Sequence, residues 1–257
     1  MLENKKRLDI IMHEQGLAQS RERARSLIMA GKVLVNDRIQ DKPGFLVTKE
    51  DFLALKETDI PFVSRGGIKL EAALTVFGIN VNGRICLDVG ASTGGFTDCL
   101  LKHGARKIFA VDVGYGQLAW TLRQDPRVVP VERTNIRYMS SEVIHSPVDF
   151  VTIDVSFISL KIVVPAILKL MKNNVGIIAL IKPQFEVGKG RVGKGGVVKD
   201  TLLHKEVIKN LSDCFSEAGL NIEGVIDSPI LGPKGNKEFL IYMVTIQEPE
   251  VRSRNSE

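Results

Sequence analysis

Apolar positions along this chain follow two different rhythms. Up to about residue 59 they come in short groups. Ala24, Leu27 and Ile28 sit at helical spacing within Arg21–Ala30, which predicts a helix capped by Ser20 and stopped at Gly31. A shorter helix is expected from Arg7 to Glu14, ending near Gly16. Strand-like pieces follow at Lys32–Val35, Phe45–Val47 and Asp51–Leu55, around turns at Asn36-Asp37 and Pro43-Gly44. Two helices and a small sheet in about 60 residues describe an accessory α+β module, residues 1–59, followed by a linker at 60–63.

From Ser64 onward, continuous apolar runs alternate with amphipathic stretches. Strands are expected at Ile85–Val89, Lys107–Val113, Val128–Val131, Asp149–Asp154, Val175–Lys182, Ile222–Ser228 and Lys237–Ile246. The clearest helices are Lys69–Phe77, Phe96–His103, Leu160–Met171 and Thr201–Ala218. This alternation predicts an α/β fold with a doubly wound, mostly parallel sheet over residues 64–248, and a polar tail at 249–257. Only Pro229 to Asn236 separates the last two strands, too little for a helical crossover, so the final strand should run antiparallel. A seven-stranded, Rossmann-like sheet ending in an antiparallel hairpin is the arrangement of methyltransferases that use S-adenosyl-L-methionine (SAM). Dinucleotide-binding sheets normally keep their strands parallel.

Composition narrows the class. The longest run free of Asp, Glu, Lys and Arg is the stretch from Ala72 to Gly83, well short of the roughly 20 residues that span a bilayer. The start shows no apolar signal segment, so a cytoplasmic protein is expected. Cys86, Cys99 and Cys214 are odd in number and widely spaced, which suits buried apolar residues of a reducing compartment better than a disulfide or a metal site. Net charge is 35 minus 30, or +5, and the first 63 residues carry only 11 minus 10 of it. Where the cations lie therefore matters more than their total.

The segment Asp88-Val-Gly90-Ala-Ser92-Thr-Gly94-Gly95-Phe96-Thr97 leaves a strand and opens a helix, the place where a doubly wound sheet binds its nucleotide. Ser92 stands where a dinucleotide fingerprint needs its second glycine, and SAM, lacking a phosphate, removes that requirement. Asp112 ends the next strand and is placed to accept from ribose hydroxyls, and Asn135-Ile136 could flank the adenine. Gly188 to Gly195 approaches a phosphate-binding loop but has Gly195 at the Ser/Thr position, with no clear helix following, so that reading is rejected. Residues 182–199 hold five basic residues against Glu186 and read as a flexible basic flap for a phosphate backbone.

Asp154 and Lys182 end the fourth and fifth strands and reach the carboxyl edge of the sheet. Glu238, read as the second residue of the antiparallel last strand, returns to that same edge. Lys69 is a fourth candidate on a helix that the sequence alone cannot dock.

Two resemblances add to this. Arg7-Leu8-Asp9, Gly16-Leu17, Ser20-Arg21, Ala24, Leu27-Ile28, Gly31-Lys32-Val33, Val35-Asn36 and Lys42-Pro43-Gly44 closely resemble the RNA-binding module named after ribosomal small-subunit protein S4. Ser64 to Leu70, Asp88 to Thr97, Asp154, Ile181 to Glu186 and Gly235 to Phe239 resemble the FtsJ-like ribose methyltransferases, and specifically the TlyA family, which joins the two modules and is often labelled hemolysin. The resemblance implies SAM-dependent 2′-O-methylation of cytidine in ribosomal RNA, with ribosomal subunits as partners and neither DNA nor membrane. It implies a catalytic tetrad of Lys69, Asp154, Lys182 and Glu238; the reading of the loop and strand ends adds expected cofactor contacts along Asp88, Gly90, Ser92, Gly94, Gly95, Phe96, Thr97, Asp112, Asn135 and Ile136, and no metal is expected. The first module's resemblance implies RNA contacts at Arg7, Arg21, Arg25, Lys32 and Lys42, to which the basic flap adds Lys189, Arg191 and Lys194, with Arg65 a further candidate. A lysine acting as base must be neutral, and bringing an ordinary lysine from about 10.4 to neutrality near pH 7 costs roughly 4 to 5 kcal/mol. Rival readings are a noncatalytic RNA-binding or assembly factor and a pore-forming hemolysin. The second would need an insertion segment, and none stands clear of the core helices.

Overall fold

The structure, a computed structural model, describes residues 5–36, 38–48, 50–55, 60–145, 147–188, 190–193 and 195–245. The polar tail, Asp37, Lys189 and Lys194 lie outside the described residues. The chain divides into one unit of residues 1–60 and a second of residues 61–257.

The first unit runs β1 (Lys6–Arg7), α1 (Leu8–Glu14), α2 (Arg21–Met29), β2 (Val33–Val35), β3 (Arg38–Ile39), β4 (Leu46–Val47) and β5 (Leu53–Leu55). Ser20 caps α2 as expected, its hydroxyl accepting from Arg23 N at 3.1 Å. β1 pairs with β4, and β2 lies between β3 and β5. Leu8, Met12, Ala24, Ile28, Val33 and Val47 are buried together in one cluster formed by the helices and these two small sheets. The two-residue strands β1 and β3 left no periodic signal to read.

The second unit contains α3 (Gly66–Val76), β6 (Ile85–Val89), α4 (Gly95–Lys102), β7 (Lys107–Val111), α5 (Trp120–Arg123), β8 (Val128–Val131), β9 (Val148–Ile153), α6 (Leu160–Leu168), β10 (Met171–Ile181), α7 (Thr201–Glu217), β11 (Leu220–Asp227) and β12 (Phe239–Thr245). Its sheet has the order β11-β12-β10-β9-β6-β7-β8. The inner strands are parallel, and β12 inserts between β10 and β11, antiparallel to both. The central strands are mostly apolar because both faces are covered, as a parallel sheet requires, whereas the edge strand β11 carries Asn221, Glu223 and Asp227 and is partly exposed. Phe109, Phe150, Val151, Ile177 and Ile241 are all within 2% of complete burial. Among the described residues no helix is long and apolar enough to cross a membrane.

Several boundaries differ from expectation, and those around β10, α3 and β12 matter most. α6 stops at Leu168 and β10 already starts at Met171, continuing through an irregularity before Gly176 in which Asn174 adopts φ +59°. An asparagine tolerates that left-handed conformation, so the stretch between the expected helix and the expected strand sits inside a bulged strand. α3 begins at Gly66, not Lys69. Its glycines are weak helix formers retained for space: a Cβ on Gly67 would lie 2.2 Å from the Phe62 ring. β12 begins at Phe239, so Glu238 precedes the strand, because a turn closed by Gly232 N donating to Asn236 O uses the residues before it.

Candidate active site

β6 delivers Asp88 into the protein interior, where it is fully buried. Thr97 Oγ1 donates to its Oδ2 at 2.6 Å and Thr152 Oγ1 to its Oδ1 at 3.0 Å. Burial pushes the Asp88 carboxyl up to about 6, against the two hydroxyl donors that favour its charge. Asp88 therefore braces the loop that follows it and is not among the residues that line the tetrad's cleft. Thr97, equally buried, is the other half of this brace.

The loop itself is shaped by close approaches. Gly90 has φ +83°, and a Cβ there would meet the Asp154 carbonyl oxygen at 2.4 Å, so only glycine lets the turn after β6 lie against the turn after β9. A Cβ on Gly95 would lie 2.2 Å from Ser64 Oγ, which is how the first turns of α3 and α4 come together. Ser92, at φ +48°, donates its backbone N–H to Asp112 Oδ2 at 2.8 Å, and Gly114 N donates to Asp112 Oδ1 at 2.7 Å. Asp112 is thereby held at the end of β7, each oxygen keeping a further lone pair.

Asn135 and Ile136 do not join this cleft. The Asn135 side chain caps its own turn by accepting from Arg137 N at 3.1 Å, and Ile136 is buried in the core. The segment after β8 forms a short 3-10 helix, Ile136–Tyr138, in which only Ile136 is buried.

The tetrad does converge. Lys69, Asp154, Lys182 and Glu238 line one cleft together with Ser64, Arg65, Gly90, Ser92, Gly95 and Phe96. α3 docks so that Lys69 Nζ reaches Glu238 Oε2 at 2.5 Å, with Glu238 only 1% exposed. Lys182 Nζ lies 2.6 Å from Asp154 Oδ1 and donates to Ser156 Oγ at 2.9 Å. The Asp154 contact is an ion pair off the hydrogen-bonding direction, leaving Oδ1 without a hydrogen-bond partner. Glu238 Oε1 is likewise buried and unpartnered, and a Cβ on Gly232 would stand 2.0 Å from it. Two amines and two carboxylates thus form two neutral pairs with spare acceptor capacity, beside a loop built of glycines.

The flap is more firmly held than its glycines suggest. Val198 N donates to Asn236 Oδ1 at 3.1 Å, Asn236 Nδ2 donates to Gly196 O at 3.0 Å, and His204 Nε2 lies 2.8 Å from Val198 O. Arg191, assigned to RNA, is engaged by Glu206 through both carboxylate oxygens at 2.5 and 2.6 Å. Glu186 turns inward and accepts from Leu160 N and Ser159 Oγ at the start of α6.

Residues unread in the sequence also stand here. Phe157 follows Ser156 with φ +64°, is 90% exposed, and tilts against Phe185 at 4.9 Å between ring centres. Arg133 lies 4.0 Å over the exposed Tyr115 ring. A solvent-facing aromatic just past a strand's carboxyl end was the signal that could have found Phe157.

In the first unit, Arg7 and Arg21 share one buried partner. Asp9 accepts from Arg7 Nε at 2.9 Å and Nη2 at 3.1 Å, and Arg21 Nη2 lies 3.5 Å away. The Arg7 guanidinium holds the Asp9 carboxyl below its usual range. Both arginines keep about half of their side chains exposed, 47% and 52%. Arg25 and Lys42 are exposed and Lys32 is half-buried.

Comparison with known proteins bears on the family of both units. Residues 62–245 match the FtsJ-like methyltransferase model and residues 6–53 the S4 domain model. The chain is 47% identical over 240 residues to the 16S/23S rRNA (cytidine-2′-O)-methyltransferase TlyA of Mycobacterium tuberculosis, covering 93% of this chain and 90% of that protein. It is 43% identical over 246 residues to Hemolysin A of Brachyspira hyodysenteriae, covering 93% and 99%. A solved structure of a protein named as a hemolysin, from Streptococcus thermophilus, superposes with a TM-score of 0.74 at 41% identity, covering 97% and 92%. An S4 domain followed by an FtsJ-like sheet, matched over nearly the whole length of such relatives, means that this chain belongs to the TlyA family of FtsJ-like methyltransferases.

Proposed function

We propose that this protein transfers a methyl group from SAM to the ribose 2′-hydroxyl of a cytidine in ribosomal RNA. The observation that carries the reading is the meeting of the Lys69–Glu238 and Lys182–Asp154 pairs in a cleft bordered by the glycine-built loop after β6. That loop fits SAM: Gly90 and Gly95 present bare backbone, and Asp112 offers lone pairs to ribose hydroxyls with no phosphate site needed. When bound, SAM supplies an activated methyl carbon.

The chain's own residues do the rest. Lys182, in its neutral form, takes the proton of the 2′-hydroxyl. Asp154 and Ser156 fix where its amine points, and the proton leaves as part of the ammonium they stabilise. Lys69, held by Glu238, places positive charge where the attacking oxygen gains electron density. Base assistance contributes on the order of 10² to 10⁴ in rate. Alignment of hydroxyl and methyl group contributes at least as much, so residual turnover without the base is expected. The first unit anchors the RNA through Arg7, Arg21, Arg25, Lys32 and Lys42 by phosphate and shape recognition, as structured RNA demands.

The test is transfer of labelled methyl groups to deproteinised ribosomal RNA and to isolated subunits, with ribose methylation mapped in cells with and without the protein. No transfer to any of these substrates, with RNA still bound, would replace this reading with that of a noncatalytic assembly factor.

A further inference from the structure

On the far side of α3 from the tetrad stands a second cluster that the methyl-transfer chemistry does not use. Glu71 follows Lys69 by two positions and so points about 200° around the helix from it. There it meets Cys99 of α4 and His103, the residue that caps the end of α4, four positions on and on the same side. His103 Nε2 lies 2.7 Å from Glu71 Oε2, and Cys99 Sγ lies 3.6 Å from the same oxygen. The three donor atoms, one each of nitrogen, oxygen and sulfur, all fall within 4.8 Å of one another.

We infer that Glu71, Cys99 and His103 form a three-ligand site for a thiophilic divalent transition metal, zinc first among them. Tetrahedral zinc bonds of about 2.0 to 2.1 Å to nitrogen and oxygen and about 2.3 Å to sulfur place neighbouring donors about 3.4 to 3.6 Å apart. The sulfur–oxygen separation already has that value. The imidazole and carboxylate must part by under about 1 Å, a rotation that half-exposed side chains can make. The Cys99 sulfur is buried, while the His103 and Glu71 side chains are 34% and 42% exposed. An ion can therefore enter from solvent and keep water as its fourth ligand. Coordination forms a metal–sulfur bond and releases the thiol proton to water. Soft thiolate with imidazole favours zinc over magnesium or calcium.

The consequence lies in what the two helices carry. α3 bears Lys69, and α4 starts at Gly95 in the loop that borders the cleft. A metal joining them on the far face holds those two first turns in register, a structural cross-link and not a participant in methyl transfer. Because Glu71 comes from a different helix, no Cys/His spacing in the sequence announces the site.

The test is titration of the metal-free full-length protein with Co²⁺. One equivalent should produce a near-ultraviolet sulfur-to-cobalt charge-transfer band and the visible bands of a tetrahedral ion, both removed by Zn²⁺. Cys99→Ala should abolish the charge-transfer band, and His103→Gln, at a half-exposed position that tolerates change, should weaken binding by at least about 10-fold. Absence of the band in the unaltered protein overturns the site, as does a band that persists in Cys99→Ala or an affinity unchanged in His103→Gln.

Discussion

Asp88 allows a quantitative check on how the cofactor loop is held. Its carboxylate is completely buried, lies near Asp154, and titrates at about 6 in the fold against 3.8 in the unfolded chain. Between those values the folded protein binds the Asp88 proton and the unfolded chain does not, so stability falls as pH rises through this window. The difference of about 2 pKa units corresponds to roughly 3 kcal/mol, fully expressed above about pH 6 and absent below about pH 4. Asp88→Asn keeps the shape and removes the charge. Its amide can still accept from one threonine hydroxyl, and the other hydroxyl can rotate to accept from the amide nitrogen. Urea unfolding of both proteins, followed by far-ultraviolet circular dichroism, should show the variant more stable by up to about 3 kcal/mol at pH 7.5, with the gain shrinking toward zero at pH 4. Taking the difference between the two proteins cancels carboxylates such as Asp9, whose pairing gives the opposite trend. A stability difference that stays constant across this range would refute the reasoning.

Four further outcomes are expected. Lys182→Arg should lose methylation as completely as Lys182→Ala, by 10² to 10⁴ in rate, because a guanidinium cannot give up its proton at working pH; near-normal transfer by the Arg variant excludes the base role. Gly232→Ala should displace Glu238 and with it Lys69, lowering the methylation rate more than about 10-fold while calorimetry finds SAM affinity unchanged. Asn236→Ala strands the buried Val198 N–H at a cost of about 1 to 3 kcal/mol, so trypsin should cut after Arg191 roughly 5- to 100-fold faster, and an unchanged cleavage rate removes Asn236 as the flap's anchor. Deleting residues 1–58 should spare SAM binding and weaken RNA binding with a shallower salt dependence; equal RNA affinity at physiological salt would count against the S4 unit as anchor.

What the sequence determined by itself was whatever rests on local periodicity and turn chemistry. The apolar runs of β6 to β12 and the Ser20 cap are visible because burial on both sheet faces and an orphan helix N–H impose residue types at fixed spacing. The short Pro229–Asn236 connection dictated the antiparallel last strand by length alone, and that placed Glu238 at the same edge as Asp154 and Lys182. Tertiary structure decided the rest. Lys69 entered the site only when Gly95 let the start of α4 approach the backbone at the start of α3 closer than any Cβ allows. Asp88 became a buried brace because Thr97, in the first turn of α4, and Thr152, from a strand distant in sequence, claim its oxygens. Ile136 went to the core, and Arg191 to Glu206. The metal-binding geometry of Glu71 with Cys99 and His103 exists only across two packed helices. Each of these depends on which side chains long-range packing brings within about 3 Å, a distance that no pattern along one strand or helix encodes.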